Sequence, residues 1–219
     1  MIPAPPVPVG VLASGGGSNL QALLDAEADP TWPARVAVVI SNRADAGALE
    51  RARRHDRPAV HLPRRKDQPR EAHDQALVQV LQAHGVQWVC LAGYMLLVTP
   101  TLLQAFPDRV LNIHPALLPA FPGLHGQAQA LHHGARIAGA TVHLVDGGCD
   151  TGPIINQGAV PVLPEDDEAT LSARILRVEH RLYLQALRWA VEGRLRVQGR
   201  RVAVDLPPGQ ATWLWDPQA

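Results

Sequence analysis

Asn112 and His114 stand two residues apart in the run Val110-Leu111-Asn112-Ile113-His114-Pro115. A side-chain amide donates hydrogen bonds and an imidazole can accept or give up a proton, so the pair could carry acid–base chemistry on a ligand. Val110 to Ile113 reads as the end of a buried strand. Alternate side chains of a strand share a face, so Asn112 and His114 emerge together. Pro115 keeps His114 in the extended region and prevents a helix from starting there. Open α/β sheets bind their ligands at such strand ends. The pair reads either as two satisfied polar groups or as catalytic machinery. The stiff segment that follows, Ala116 to Gly123 with Pro119 and Pro122, adds weight to the second reading.

Two loops supply further chemistry. Asp150 lies in Asp146-Gly147-Gly148-Cys149-Asp150-Thr151-Gly152-Pro153. Taken alone it is a turn former, because aspartate bonds its own backbone in such loops. Folded over His114, its carboxylate would hold the imidazole charged and oriented. His143 is a lesser candidate for a supporting role. Ser14-Gly15-Gly16-Gly17-Ser18-Asn19 is either a flexible turn or a phosphate cradle, since glycines admit close approach and a helix N-terminus favours an anion. It matches neither the dinucleotide fingerprint nor the nucleophile elbow, for want of the final glycine.

Other residues favour plainer roles. Cys149 has no evident base beside it and reads as an idle thiol. His132-His133 lacks the spacing of a helical metal pair. Lys66 is the single lysine, which excludes a P-loop ending in Gly-Lys-Ser/Thr. The basic run from Arg51 through Arg70 is a solvated face or a cation source for an acidic ligand, with Arg70 best placed because it opens a helix after Pro69.

These residues need elements to hold them. Strands are expected at Val7–Ala13, Val36–Ile40, Ala59–Leu62, Trp88–Ala92 and Val110–Ile113. Helices are expected after a Ser18 or Asn19 cap, from about Ala46 to His55, from Arg70 to His84 and from Pro100 to Ala105. On the Arg70–His84 helix, Ala72, Ala76, Leu77, Val80 and Leu81 form the expected inner face, closed by Gly85. This alternation implies a mostly parallel sheet flanked by helices. Beyond it, strands at Thr141–Val145 and Ile154–Val162, a long helix from about Ala169 to Glu192 and a hairpin of Leu195–Val197 with Val202–Leu206 give an antiparallel C-terminal portion.

The chain has 219 residues, 47% hydrophobic and 18% charged, which suits one domain spanning 1–219, with a proline-rich tail over 1–8 and a C-terminal hairpin and tail over 195–219. Zero formal net charge and an aromatic content of 4% argue against a nucleic-acid partner. No apolar run approaches the roughly 18 residues that span a bilayer, and Met1 to Pro8 is no signal peptide. Two cysteines with no suggested disulfide point to a reducing cytoplasm.

Across Val9 to about Tyr183 the chain resembles the folate-dependent formyltransferases, in particular those acting on a purine-pathway ribonucleotide. The resemblance is carried by Ser14 to Gln21, Ser41-Asn42-Arg43-Ala44-Asp45-Ala46, Leu91-Ala92-Gly93-Tyr94-Met95, Leu111 to Pro119, and Thr141-Val142-His143 leading to Asp150-Thr151-Gly152-Pro153. The glycine-rich first loop, with Glu179-His180, separates the ribonucleotide enzymes from the wider group. The resemblance implies a Rossmann-like formyltransferase fold and transfer from 10-formyltetrahydrofolate, used as co-substrate without a metal, to the amine of 5'-phosphoribosylglycinamide. It further implies small-molecule partners and is compatible with a homodimer.

By similarity Asn112, His114 and Asp150 would be catalytic. Gly17, Ser18 and Asn19 would hold the substrate phosphate and Glu179 the ribose. Arg70, Met95, Leu96, Leu97, Val98, Asn112, Asp146, Gly147, Gly148, Cys149 and Asp150 would hold the folate. Gly16, Ala120 and Gln127 depart from the residues common in the family. A formyltetrahydrofolate hydrolase would share the catalytic set but usually carries an added N-terminal domain, for which Met1 to Val9 leaves no room. Methionyl-tRNA formyltransferase would need a longer basic C-terminal part. A non-catalytic nucleotide-binding module would leave Asn112, His114 and Asp150 without purpose.

Overall fold

Alternating valines around Gly10 make β1 (Val7–Leu12) a buried strand, with Val9, Val11 and Leu12 at most 1% exposed. Each such side chain removed from water contributes on the order of 2 kcal/mol. The computed structural model describes residues 5–206 and 208–217. Positions 1–4 of the expected N-terminal tail, and 207, 218 and 219 of the C-terminal one, lie outside the described residues. The chain divides into two compact units, Met1–Leu111 and Asn112–Ala219.

In the first unit β1 is followed by α1 (Ser18–Ala26), β2 (Ala34–Ser41), α2 (Gly47–Arg54), β3 (Ala59–His61), α3 (Arg70–Ala83), β4 (Trp88–Leu91) and α4 (Pro100–Ala105). The strands run in the order β3-β2-β1-β4, all parallel, as the strand–helix alternation requires. Helix α2 packs on β2 and β3.

β5 (Val110–His114) leads into the second unit, which continues with α5 (Gly126–His132), β6 (Ile137–Leu144), β7 (Ile154–Pro161), α6 (Glu168–Val191), β8 (Leu195–Gln198), β9 (Arg201–Val204) and β10 (Trp213–Trp215). The antiparallel pairs lie here, β6 with β7 and β8 with β9, while β10 joins β7 in parallel. Helix α6 lays Leu171, Ile175, Val178 and Leu182 against β6 and β7. It starts with a capping box in which Asp167 accepts the Thr170 amide. The α/β class with a mostly parallel sheet, flanking helices and an antiparallel later portion is as expected.

Several boundaries differ from the sequence reading. The α1 cap is Gly17, in the left-handed region at φ 75°, rather than Ser18 or Asn19, and no side chain caps the helix. The inner face of α3 is His73, Asp74, Leu77, Val78 and Leu81, with Ala72 exposed. The helix is rotated because its polar pair is satisfied inside: His73 meets the Tyr94 hydroxyl at 3.0 Å and Asp74 accepts the Thr99 amide at 2.5 Å. β6 starts earlier than Thr141, and β10 carries no strand signal beyond its short Trp-Leu-Trp run.

Candidate active site

β5 presents Asn112 half-buried and His114 only 4% exposed. Asp150 arrives from the loop between β6 and β7 with a left-handed backbone, φ 55°, which aspartate tolerates better than most residues. Gly152 makes that loop possible: a Cβ there would sit 1.7 Å from the Leu144 carbonyl oxygen. Asp150 Oδ2 lies 3.3 Å from His114 Nδ1 and accepts the Gly123 amide at 2.8 Å. Its Oδ1 accepts from Asn112 Nδ2 at 3.3 Å. Two of the side chains singled out in the sequence, Asn112 and His114, therefore converge on the carboxylate of the third, Asp150.

Burial by itself would raise the Asp150 carboxyl. Contact with His143, the Gly123 amide and the charges of His114 and His143 together outweigh it and hold the group down at about 2. His143 is nearest Asn112, whose Nδ2 lies 3.1 Å from its Nε2, and its Nδ1 faces the Leu144 carbonyl at 2.8 Å. A carbonyl only accepts, so Nδ1 carries a hydrogen. His143 Nε2 also lies 3.6 Å from Asp150 Oδ1, so the ring faces the carboxylate as well as the amide. Both ring nitrogens of His114 face acceptors, Asp150 on one side and the Phe121 carbonyl at 2.9 Å on the other. The Phe121 carbonyl only accepts, so Nε2 carries a hydrogen.

Phe121 O and Gly123 N are backbone groups, and no side-chain pattern announces them; the Phe-Pro-Gly run signals only that the chain turns. Phe121 itself sits at φ 53°, and its ring stacks on His133 with centroids 5.5 Å apart. Burial first, and Asp150 next, push the Cys149 thiol up, opposite to what a nucleophile requires. Among the described residues no group of histidine, cysteine and carboxylate side chains is placed to hold a metal. Glu179 is buried in α6, 7% exposed.

In the first unit the glycine loop ends in Gly17, Ser18 and Asn19 at the start of α1, where the cap residue Gly17 has no side chain to occupy the helix end. Ala48 N–H donates to the Gly15 carbonyl at 3.1 Å and Arg51 Nε to the Gly16 carbonyl at 2.7 Å, so the loop is braced by α2. A Cβ on Gly17 would meet Ala48 Cα at 2.8 Å in addition to its φ of 75°. Gly17→Ala is therefore expected to displace the loop and to raise the KM for a phosphate-bearing substrate more than about tenfold, with a smaller change in kcat. Steady-state kinetics on the variant checks this; an unchanged KM would remove the loop from substrate binding.

Also in the first unit, a cavity of about 210 Å³ is lined by Arg64, Arg70, His73, Asp74, Met95, Leu96 and Leu97. It brings Arg70 together with Met95, Leu96 and Leu97, while Val98 stands half-buried beside them and outside the lining. Arg64 and the buried pair His73 and Asp74 were not anticipated at this cavity. Polar residues interrupting the apolar stripe of α3 were the available signal. Met95 and Leu97 are 59% and 54% exposed, an apolar surface suited to a flat ring.

A carboxylate gripping an imidazole and an amide at the end of a sheet strand equips a protein to transfer an acyl-level carbon, and the chain belongs to the formyl transferase family, whose model matches residues 8–187. It is 46% identical over 209 residues to the phosphoribosylglycinamide formyltransferase of Mycobacterium tuberculosis, covering 92% of this chain and 96% of that one. A glycinamide ribonucleotide transformylase 1 from Symbiobacterium toebii superposes with a TM-score of 0.89 at 56% identity, covering 91% of this chain and 94% of the other. The chain is also 45% identical over 198 residues to the "Trifunctional purine biosynthetic protein adenosine-3" of Drosophila pseudoobscura pseudoobscura, spanning 90% of its own length but 14% of that protein.

Proposed function

We propose that this chain transfers the formyl group of 10-formyltetrahydrofolate to the amine of 5'-phosphoribosylglycinamide, a step of purine biosynthesis, acting as one catalytic domain in the cytoplasm. Gly17, Ser18 and Asn19 hold the phosphate through first-turn amides and the helix dipole. Glu179 serves the ribose hydroxyls. Arg70, Met95, Leu96, Leu97, Val98 and Asp146 to Asp150 serve the folate. The observation that carries the reading is the Asp150 carboxylate facing His114 Nδ1 with the Asn112 amide on its second oxygen.

The substrate amine attacks the formyl carbon, and the carbonyl π pair moves to oxygen. The resulting oxyanion accepts from the His114 Nε2–H, taking the place of the Phe121 carbonyl, and from an Asn112 N–H turned away from Asp150 or His143. A proton leaves the attacking nitrogen and reaches the folate nitrogen, the carbon–nitrogen bond to folate breaks, and the carbonyl re-forms on the product. The Asp150 charge keeps the ring oriented and supports its positive charge throughout.

A spectrophotometric assay tests this. Deformylated folate is expected only when the ribonucleotide is added. Product formed with water alone would favour a hydrolase, and none in either case a binding module.

A further inference from the structure

Ser14 is tied to the Gly93–Met95 backbone more heavily than a loop residue needs to be. Its N–H donates to the Gly93 carbonyl at 3.0 Å, which carries the β1–β4 ladder beyond its last strand pair, Leu12 with Leu91. Its hydroxyl accepts the Met95 N–H at 2.9 Å and donates to Asn42 Oδ1 at 2.6 Å. The polarity of this chain is forced. The Met95 amide can only donate, so the one hydroxyl hydrogen goes to the carbonyl oxygen of Asn42. Ser14 is 4% exposed, so little water reaches the bond.

The same residue opens the glycine loop, whose other supports come from the same side of the unit. Asn42 follows β2, and the Ala48 and Arg51 contacts to Gly15 and Gly16 come from α2. The partner segment is itself clamped at both ends, by His73 on the Tyr94 hydroxyl and by Asp74 on the Thr99 amide. Ser14 is thus the joint between a braced phosphate loop and the clamped segment that carries Met95, Leu96 and Leu97. A shift of the glycine loop on anion binding has to move the Ser14 hydroxyl or be resisted by it.

Resting on the formyl-transfer reading, we propose that Ser14, held by Asn42, is a positioning residue that couples the ribonucleotide-phosphate loop to the folate segment Met95–Val98. Occupancy of either one then preorganises the other, and the coupling acts equally in both directions.

The test compares Ser14→Ala and the pair Asn42→Ala and Asn42→Asp with the unmutated chain. For Ser14→Ala the KM for each substrate is expected to rise roughly tenfold while kcat changes less than about threefold. Asn42→Ala should repeat that split. Asn42→Asp, which keeps an acceptor for the hydroxyl, should restore most of it, and this pair carries the comparison if Ser14→Ala fails to fold. A second readout does not depend on turnover: in an amide NMR spectrum, ribose 5-phosphate should shift the Met95 signal in the unmutated chain and not in the variants lacking the bond. A rise in the folate KM alone, or equal behaviour of the two Asn42 variants, overturns the proposal. So does a Met95 signal that responds equally without the hydroxyl. Loss of formyl transfer by the unmutated chain would refute the activity, while the Met95 response would still decide the coupling.

Discussion

Asp150→Asn is expected to lower kcat by about a thousandfold while leaving substrate dissociation constants within about threefold, the order of loss when the charge behind a working imidazole is neutralised. Asparagine is the informative substitution because it keeps the size of the side chain and tolerates the left-handed backbone at this position, φ 55°. The new side chain has a single oxygen, so it can accept from Gly123 or from Asn112 but not from both, and it no longer supplies an anion for His114. Single-turnover measurement separates the chemical step from binding, and a variant retaining a tenth of normal turnover would end the role proposed for this carboxylate.

The same substitution has a signature in stability. In the folded chain the Asp150 carboxyl sits at about 2, below its ordinary 3.8. A depressed carboxyl contributes stability that is fully present above the unfolded value and disappears as pH falls through the folded one. The contribution is about 2 kcal/mol, and the side chain is only 12% exposed, so solvent screens it little. Denaturant unfolding should show the unmutated chain ahead of Asp150→Asn at pH 7, with the gap closing between pH 4 and pH 2. A constant gap across that range would mean that the carboxylate is not held by the contacts described.

His114→Ala is expected to cost between about a hundredfold and a thousandfold in kcat, since under the proposed mechanism it removes an N–H donor to the developing oxyanion. Two neighbours lose a partner at the same time, Asp150 Oδ2 and the Phe121 carbonyl. The Gly123 amide still holds the carboxylate, so the fold should survive with a modest drop in melting temperature. Pre-steady-state rates with a saturating ribonucleotide would measure the loss. Turnover within about fivefold of normal would shift the burden to Asn112 alone.

Much of this was legible because it is local. The Asn112 and His114 spacing, Pro115 and the apolar run before them place two polar groups on one strand face without any knowledge of distant residues. The strand–helix alternation gave the class, and the glycine loop gave the start of α1. Where local signals competed, the reading failed. Ser18 and Asn19 look like better caps than glycine, yet the close approach of Ala48 selects Gly17. The apolar stripe on α3 predicts alanines inside, yet Tyr94 and Thr99 reward burying His73 and Asp74.

The residue types and their strand-face placement were determined by the sequence alone, together with the family they signal. Only the tertiary structure decided that Asp150 reaches His114, that His143 lies against the Asn112 amide, and that the backbone of Phe121 and Gly123 closes on the same groups. The reason is physical. Periodicity is set by bonds between near neighbours, but a contact between chain-distant side chains depends on loop closure and on backbone donors and acceptors that every residue carries alike.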